Sequence, residues 1–402
     1  MKTMRLRHVA TVTPSNVDKV VDADETPVRL CNYVDVYKYS VIHDGLALST
    51  GSATKLEVEK FRLRAGDVMI TKDSEDPSDI AVPAYVEADL DDVVCGYHLA
   101  MLRPDPRRIT GKYLFWALLA KPVRDAFSNE ALGITRFGLS IGDIKSVPIP
   151  LPDLATQKAI AAFLDAETAR IDALIEKKER QVAASTEKER AAAAAVLTGV
   201  DAQLWRLKHL GRIASGAGFP THLQGDAAAE IAFFKVKHMR SHGLDARLVE
   251  TEDRISRETA KELRATVFPE GTIVFAKIGA ALLISRFSML GVDACIDNNM
   301  SAFIPHRRLV EPDYALLNLE RIEMAEFALP GPVPSLNMDA FRNVSIPLPD
   351  MDQQRAVVEA HRRLRNVGER LRESVQRSVE RLREFRAALI TAAVTGQIDP
   401  AD

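Results

Sequence analysis

One long stretch occurs twice in this chain, and it constrains the fold more than any other feature. Val147 to Gly199 and Val344 to Gly396 both contain Ile-Pro-Leu-Pro-Asp, continue as a helical pattern and stop at Thr-Gly. Every matched position lies 197 residues on (344 minus 147), without a gap. Loops tolerate insertions, so a gapless match over about fifty residues implies two rods whose lengths must agree. The stretch also divides the 402 residues, too many for one core, into segments 1–146, 147–199, 200–343 and 344–402.

The two intervening segments repeat each other more loosely. Arg206-Leu207-Lys208-His209-Leu210 echoes Arg5-Leu6-Arg7-His8-Val9, and the strand pattern Gly271 to Lys277 echoes Gly66 to Lys72. Asn299 to Pro305 faces His98 to Pro104, and Pro312-Asp313-Tyr314 opens a helix where Gly111-Lys112-Tyr113 does. Further strands are expected over Val28 to Val36 and Val93 to Leu102, with a helix over Tyr113 to Ala120. Each segment therefore reads as a mixed α+β domain. The framework matches while the loops do not: Lys72 to Ser78 faces Lys277 to Leu283, and Gly133 to Gly138 faces Pro330 to Ser335. Two copies of one fold with different loop chemistry point to two sites doing the same job on different targets. Divergence without function is the alternative.

Prolines hold the start of each repeat extended, Asp153 and Asp350 stand at N-cap positions with Gln353 completing a capping-box pattern, and Gly199 and Gly396 stand where a left-handed residue ends a helix. About 45 helical residues make a rod of roughly 68 Å. In the second repeat Leu364, Gly368, Leu371, Val375, Ser378, Leu382, Phe385 and Leu389 follow heptad spacing. The first repeat is weaker: Ile171, Ile175, Val182, Ala192 and Val196 are interrupted by Lys178, Ser185 and Glu189. Pairing the two helices in antiparallel fashion closes the chain locally, relates the domains by a pseudo-twofold axis, and makes Leu371, Leu382 and Phe385 the expected anchors. Ten arginines against five glutamates between Arg355 and Arg386 form either an ion-paired solvated face or a surface for a partner or a phosphate backbone.

Several functions are disfavoured. A net charge of −3 is unlike a general nucleic-acid coat, so any phosphate-binding surface is local. No apolar run approaches bilayer length and no signal-peptide core follows Met1, so a cytoplasmic location is expected. Cys31, Cys95 and Cys295 are widely spaced and read as buried reduced thiols. Phosphate-loop, metal-ligand, nuclease and methyltransferase motifs are absent from the sequence, which disfavours catalysis.

The duplicated order of these phrases, Val147 to Asp153 with Gln157, Val344 to Asp350 with Gln353 and Gln354, and the strands ending at Lys72 and Lys277, resembles the specificity subunit of type I restriction–modification systems. The resemblance covers essentially the whole chain. It implies a non-catalytic protein with two target-recognition domains, each reading half of a bipartite, asymmetric site in double-stranded DNA. The antiparallel helices would be a spacer that docks two methyltransferase subunits, with restriction subunits added, and S-adenosylmethionine, ATP and magnesium would belong to those partners. Candidate DNA contacts are Lys38, Tyr39, Lys72, Ser74, Thr135 and Arg136 in the first domain. In the second they are Lys235, Lys237, His238, Arg240, Lys277, Asn298 and Ser335. The helix-pair interface is expected at Ile171, Ile175, Val182, Leu364, Leu371, Val375, Leu382, Phe385 and Leu389. A coiled-coil scaffold with no role on DNA, and a specificity module serving a combined methylase–nuclease polypeptide, remain as alternatives.

Overall fold

The structure, a computed structural model, describes residues 2–199, 201–224, 227–239 and 243–399. The chain divides into two compact units, Met1–Arg180 with Ser374–Asp402, and Gln181–Glu373. Each contains one α/β domain, the start of one long helix and the end of the other.

In the first unit a five-stranded sheet runs in the order Ala10–Pro14, Leu99–Pro104, Val68–Thr71, Pro83–Val86 and Val41–Ile42, with only the last pair parallel. A second sheet places Thr26–Cys31 between Ser49–Ala53 and Leu90–Cys95. Met69, Met101 and Leu99, on one face of the larger sheet, pack with Leu30, Val93 and Cys95 of the smaller. Val68, Ile70, Ala100 and Leu102 point the other way, towards the helix Gly111–Leu119 and the start of the first long helix. Alternation along each strand thus supplies both cores.

The expected strand Val28 to Val36 ends early. Asn32 instead caps a helix, Tyr33–Lys38, and the Asp35 carboxylate accepts the Asn32 N–H at 2.8 Å. Local cap chemistry outweighs the β-branched pattern here.

The second unit repeats the larger sheet strand for strand: Gly211–Ser215, Met300–Pro305, Ile273–Ala276, Phe287–Leu290 and Arg247–Leu248 form the same five-stranded order. Arg254–Ile255, Ile231–Phe234 and Ala294–Ile296 form its smaller sheet. The three cysteines are free and buried.

The repeated prolines and glutamines join each domain to its helix. Asp153 Oδ1 accepts the Thr156 N–H at 2.9 Å and Asp350 Oδ1 accepts the Gln353 N–H at 2.8 Å, so both aspartates cap as expected. Gln157, fully buried, accepts from Thr110 N at 2.9 Å and donates to the carbonyls of Arg108 and Pro152. Gln354 does the same with Glu311 N, Leu309 O and Pro349 O, and it, rather than the exposed Gln353, is the counterpart of Gln157. Tyr113 and Tyr314 each donate a phenol hydrogen to the strand before the helix, at Pro150 O and Pro347 O, both at 2.9 Å.

The long helices span Leu154–Thr198 and Met351–Thr395 and pack together. Within the first unit Asp172 meets Arg386 at 3.0 Å and Glu179 meets Arg383 at 3.2 Å, and within the second Glu189 meets Arg372 at 2.7 Å. The partner number falls as the first number rises, so the helices are antiparallel. Ile171 is buried, and Ile175, Val182, Leu364, Val375, Leu382 and Leu389 are half-buried. Leu371 and Phe385 do not anchor the pair: they are 41% and 57% exposed. The inward positions Gly368, Arg372, Val375, Val379, Leu382, Arg386 and Leu389 themselves keep a 4-3 spacing, so the seam is a heptad in which Arg372 and Arg386, one residue on, take the places expected for Leu371 and Phe385. The surplus arginines are thus partly interhelical, paired with acids of the first helix. Gly396 adopts φ 76° and ends its helix as expected, and Gly199 follows the last helical residue, Thr198, its N–H donating to Ala195 O at 2.8 Å.

Candidate nucleic-acid interface

The strand Val68–Thr71 leads into Lys72, whose backbone is held on both sides. Its N–H donates to His98 O at 3.1 Å, and its carbonyl accepts from Leu139 N at 2.9 Å. This ties together the turn Gly96-Tyr97-His98 and the loop carrying Thr135 and Arg136. A two-residue ladder, Asp73–Ser74 with Phe137–Gly138, forms the loop's stem, and residues 132–136 above it are exposed. The Lys72 ammonium lies 5.1 Å from the Tyr97 ring centroid.

His98 takes φ 69°, a left-handed conformation that a non-glycine residue adopts only when its surroundings hold it there. Asp73 Oδ2 holds the ring, 2.5 Å from His98 Nδ1, and Arg136 Nη2 approaches the same nitrogen at 3.4 Å. The Tyr97 and Tyr33 rings pack against His98 at 4.0 and 6.1 Å. Lys72, Ser74 and Arg136 are therefore brought together, with the exposed aromatics Tyr33 and Tyr97 among them. The sequence reading missed both tyrosines and His98. Lys38 is exposed at the end of its helix, its ammonium 4.9 Å from the Tyr39 ring, and Tyr39 is half-buried against the small-sheet core.

The second domain builds the same frame from different residues. Lys277 N donates to Asn299 O, and Leu336 N donates to Lys277 O, both at 2.9 Å. Ser335 bridges Ile278, so the turn Asp297-Asn298-Asn299 and the Ser335 loop flank Lys277 as their counterparts flank Lys72. Burial lowers the affinity of the Lys277 ammonium for its proton, and Asp297 opposes that.

Lys235 and Lys237 are engaged elsewhere. Lys235 Nζ lies 2.7 Å from the buried carboxylate of Asp253, and Lys237 Nζ lies 2.5 Å from Glu252. His238 accepts the Lys235 N–H at 2.9 Å, and burial holds its imidazole below the usual value. His238, Glu252 and Asp253 bring three ligand atoms within 4.8 Å of one another, but two ammonium groups already supply the positive charge there. The spacing of Lys235, Lys237 and His238 suggested a basic patch, and acids about fifteen residues downstream neutralise it. Arg240 lies outside the described residues.

Two equivalent α/β domains, each presenting variable loops around a fixed lysine and joined through paired helices, define a duplicated recognition protein. Residues 16–184 and 200–379 match the family described as the type I restriction modification DNA specificity domain. The chain belongs to that family, whose members are non-catalytic specificity subunits. Two solved structures share the fold. One, from a study of complex assembly and conformational transition of the type I R-M system, has a TM-score of 0.74 at 17% identity, covering 98% of this chain and 97% of that one. The other, the HsdS subunit from Thermoanaerobacter tengcongensis, has a TM-score of 0.60 at 18% identity, covering 99% and 97%. No curated protein matches the chain in sequence. Among the described residues, no helix is long and apolar enough to cross a membrane.

Proposed function

We propose that this chain reads a bipartite, asymmetric site in double-stranded DNA, one half-site per α/β domain, and directs partner subunits to it. The reading rests on one observation above the rest: the two domains keep the same strands and hydrogen bonds around Lys72 and Lys277 while the loops beside those lysines differ completely. A shared frame with different loops suits two different base sequences approached in the same way. Phosphate contacts set register and loop side chains reach base edges. Lys72, Ser74, Thr135 and Arg136 in one domain, with Lys277, Asn298 and Ser335 in the other, form the contact sets. Lys38, Tyr39, Lys235, Lys237 and His238 are peripheral to them. The four sequence segments serve as recognition domain, spacer, recognition domain and spacer. The helix pair fixes the gap between half-sites and docks two methyltransferase subunits, with restriction subunits added to that core. S-adenosylmethionine, ATP and magnesium are bound by those partners.

Co-expression with the methyltransferase encoded beside it, followed by single-molecule sequencing of methylated DNA, tests the reading. A bipartite methylated motif that disappears without this chain is the expected result. Methylation independent of the chain overturns it.

A further inference from the structure

The three-residue turns Gly96-Tyr97-His98 and Asp297-Asn298-Asn299 occupy the same place in the two domains. Each joins the third strand of the smaller sheet to the second strand of the larger one, and each gives its last carbonyl to the equivalent lysine N–H. The anchoring hydrogen bond is shared, although His98 takes a positive φ and Asn299 does not, and the chemistry differs: an aromatic and an imidazole in one, two carboxamides in the other. Asn299 is tied to Asp297, whose Oδ1 accepts its N–H at 2.6 Å and whose carboxylate also takes its carboxamide. Asn298 is exposed, and its side chain has no hydrogen-bond partner among the described residues. The nearby lysines Lys235 and Lys237 are neutralised by Asp253 and Glu252, so the free groups beside Lys277 are neutral. A solvated carboxamide on a turn pinned at Asp297 and at Lys277 presents one donor and one acceptor side by side. That pattern complements N7 and N6 of adenine in the major groove.

Resting on the DNA-reading function above, we propose that this turn is the base-reading element of each domain and that Asn298 recognises an adenine in the second half-site. The backbone N–H groups of Lys72 and Lys277 then hold the turns in place, and their ammonium groups remain for phosphate contact. Asp73 fixes the His98 ring through Nδ1, and no hydrogen bond engages Nε2 among the described residues.

The test uses the full chain co-expressed with its methyltransferase, with the motif read by single-molecule sequencing. Asn298→Ala is expected to relax one A·T position of the second half-site, losing roughly 10- to 100-fold of discrimination, while the first half-site is unchanged. Asn298→Asp, which keeps the shape but only accepts, is expected to move the preference at that position towards cytosine. A motif unchanged with both variants, or a change confined to the first half-site, overturns the proposal and leaves the function reading standing. Wild-type chain that directs no bipartite methylation removes the function reading itself.

Discussion

Glu189 and Arg372 meet at 2.7 Å across the two long helices, and the Glu189 carboxylate lies directly over Gly368. Glycine is unfavourable within a helix, by about 1 kcal/mol relative to alanine, so its place here is explained by the carboxylate that covers it. A methyl group at position 368 would overlap that carboxylate and displace it from the arginine. The ion pair is only partly exposed and contributes about 1 kcal/mol, so Gly368→Ala is expected to be close to neutral. In a Glu189→Ala background the same change is expected to stabilise by about 1 kcal/mol. Urea unfolding of the four proteins measures this, and an equal effect in both backgrounds contradicts it.

Helix pairing by charge at Arg372 and Arg386 leaves the neighbouring Leu371 and Phe385 with little to do. Leu371 and Phe385 are exposed, whereas Ile390 is 2% exposed within the first domain's core. Leu371→Ala and Phe385→Ala are expected to cost under about 1 kcal/mol, against about 2–5 kcal/mol for Ile390→Ala. Thermal unfolding ranks the three, and a Phe385→Ala loss as large as that of Ile390→Ala would place Phe385 in the seam.

Lys72 and Lys235 separate a lysine placed for DNA from one placed for the fold. Lys72→Ala is expected to weaken DNA binding similarly for all sequences and to reduce the salt slope by about 1, without lowering thermal stability. Lys235→Ala leaves the buried Asp253 carboxylate short of a cation, so a stability loss of about 3 kcal/mol is expected with the salt slope unchanged. Fluorescence anisotropy across a salt series, with melting curves on the same samples, decides both. Reversed outcomes would assign the lysines the other way round.

His361 makes the second unit sensitive to acid. Its Nδ1 is buried without a partner among the described residues, and burial, assisted by Arg365, holds the imidazole below the ordinary value of 6.5, with Glu189 opposing. The unfolded chain therefore takes up more protons than the folded one as pH drops below 6.5. Stability present above that value is lost as pH falls through the lowered folded value. His238 acts in the same sense, and the half-buried Glu320, whose affinity for its proton is raised, acts in the opposite one. Both remain in a His361→Gln variant, so the difference isolates His361. Wild type is expected to lose more stability than the variant between about pH 7.5 and pH 5.5. Parallel curves would rule the mechanism out.

The duplicated frame was legible because it depends on residues that act locally. Asp153 and Asp350 cap through the next turn, the prolines set the chain direction before each helix, and repeated order alone revealed two domains of one topology. Gln157 and Gln354 could be seen as repeated, but their role could not, because their partners at Thr110 and Glu311 lie more than forty residues away. The recognition surface was legible only in part for the same reason. The loop ending at Phe137 was visible from its glycines, whereas Tyr33 meets His98 only after the chain between them has folded. Lys235 and Lys237 read as a basic patch until Glu252 and Asp253 fold back onto them. The heptad spacing was legible but one row was misplaced, because the residues that face the first helix, Arg372 and Arg386, are charged and meet their acids, Glu189 and Asp172, only across the pair.

The equal lengths of the two repeats carry the last prediction. Both long helices contain 45 residues, and in the proposed function their pairing fixes the gap between half-sites. Removing one heptad from each helix takes away about two turns, which keeps the remaining faces in register and shortens each rod by about 10 Å. At 3.4 Å per base pair that is about three base pairs of duplex. The methylated motif is expected to keep both half-sites and lose about three positions from the gap, modified by the rotation of the domains around the duplex. Deleting the heptad from one helix alone leaves charges such as Glu189 and Arg372 out of register, so that chain is expected to lose stability without defining a new gap. An assembled, active double deletion that methylates at the original gap rules out the helix pair as the ruler.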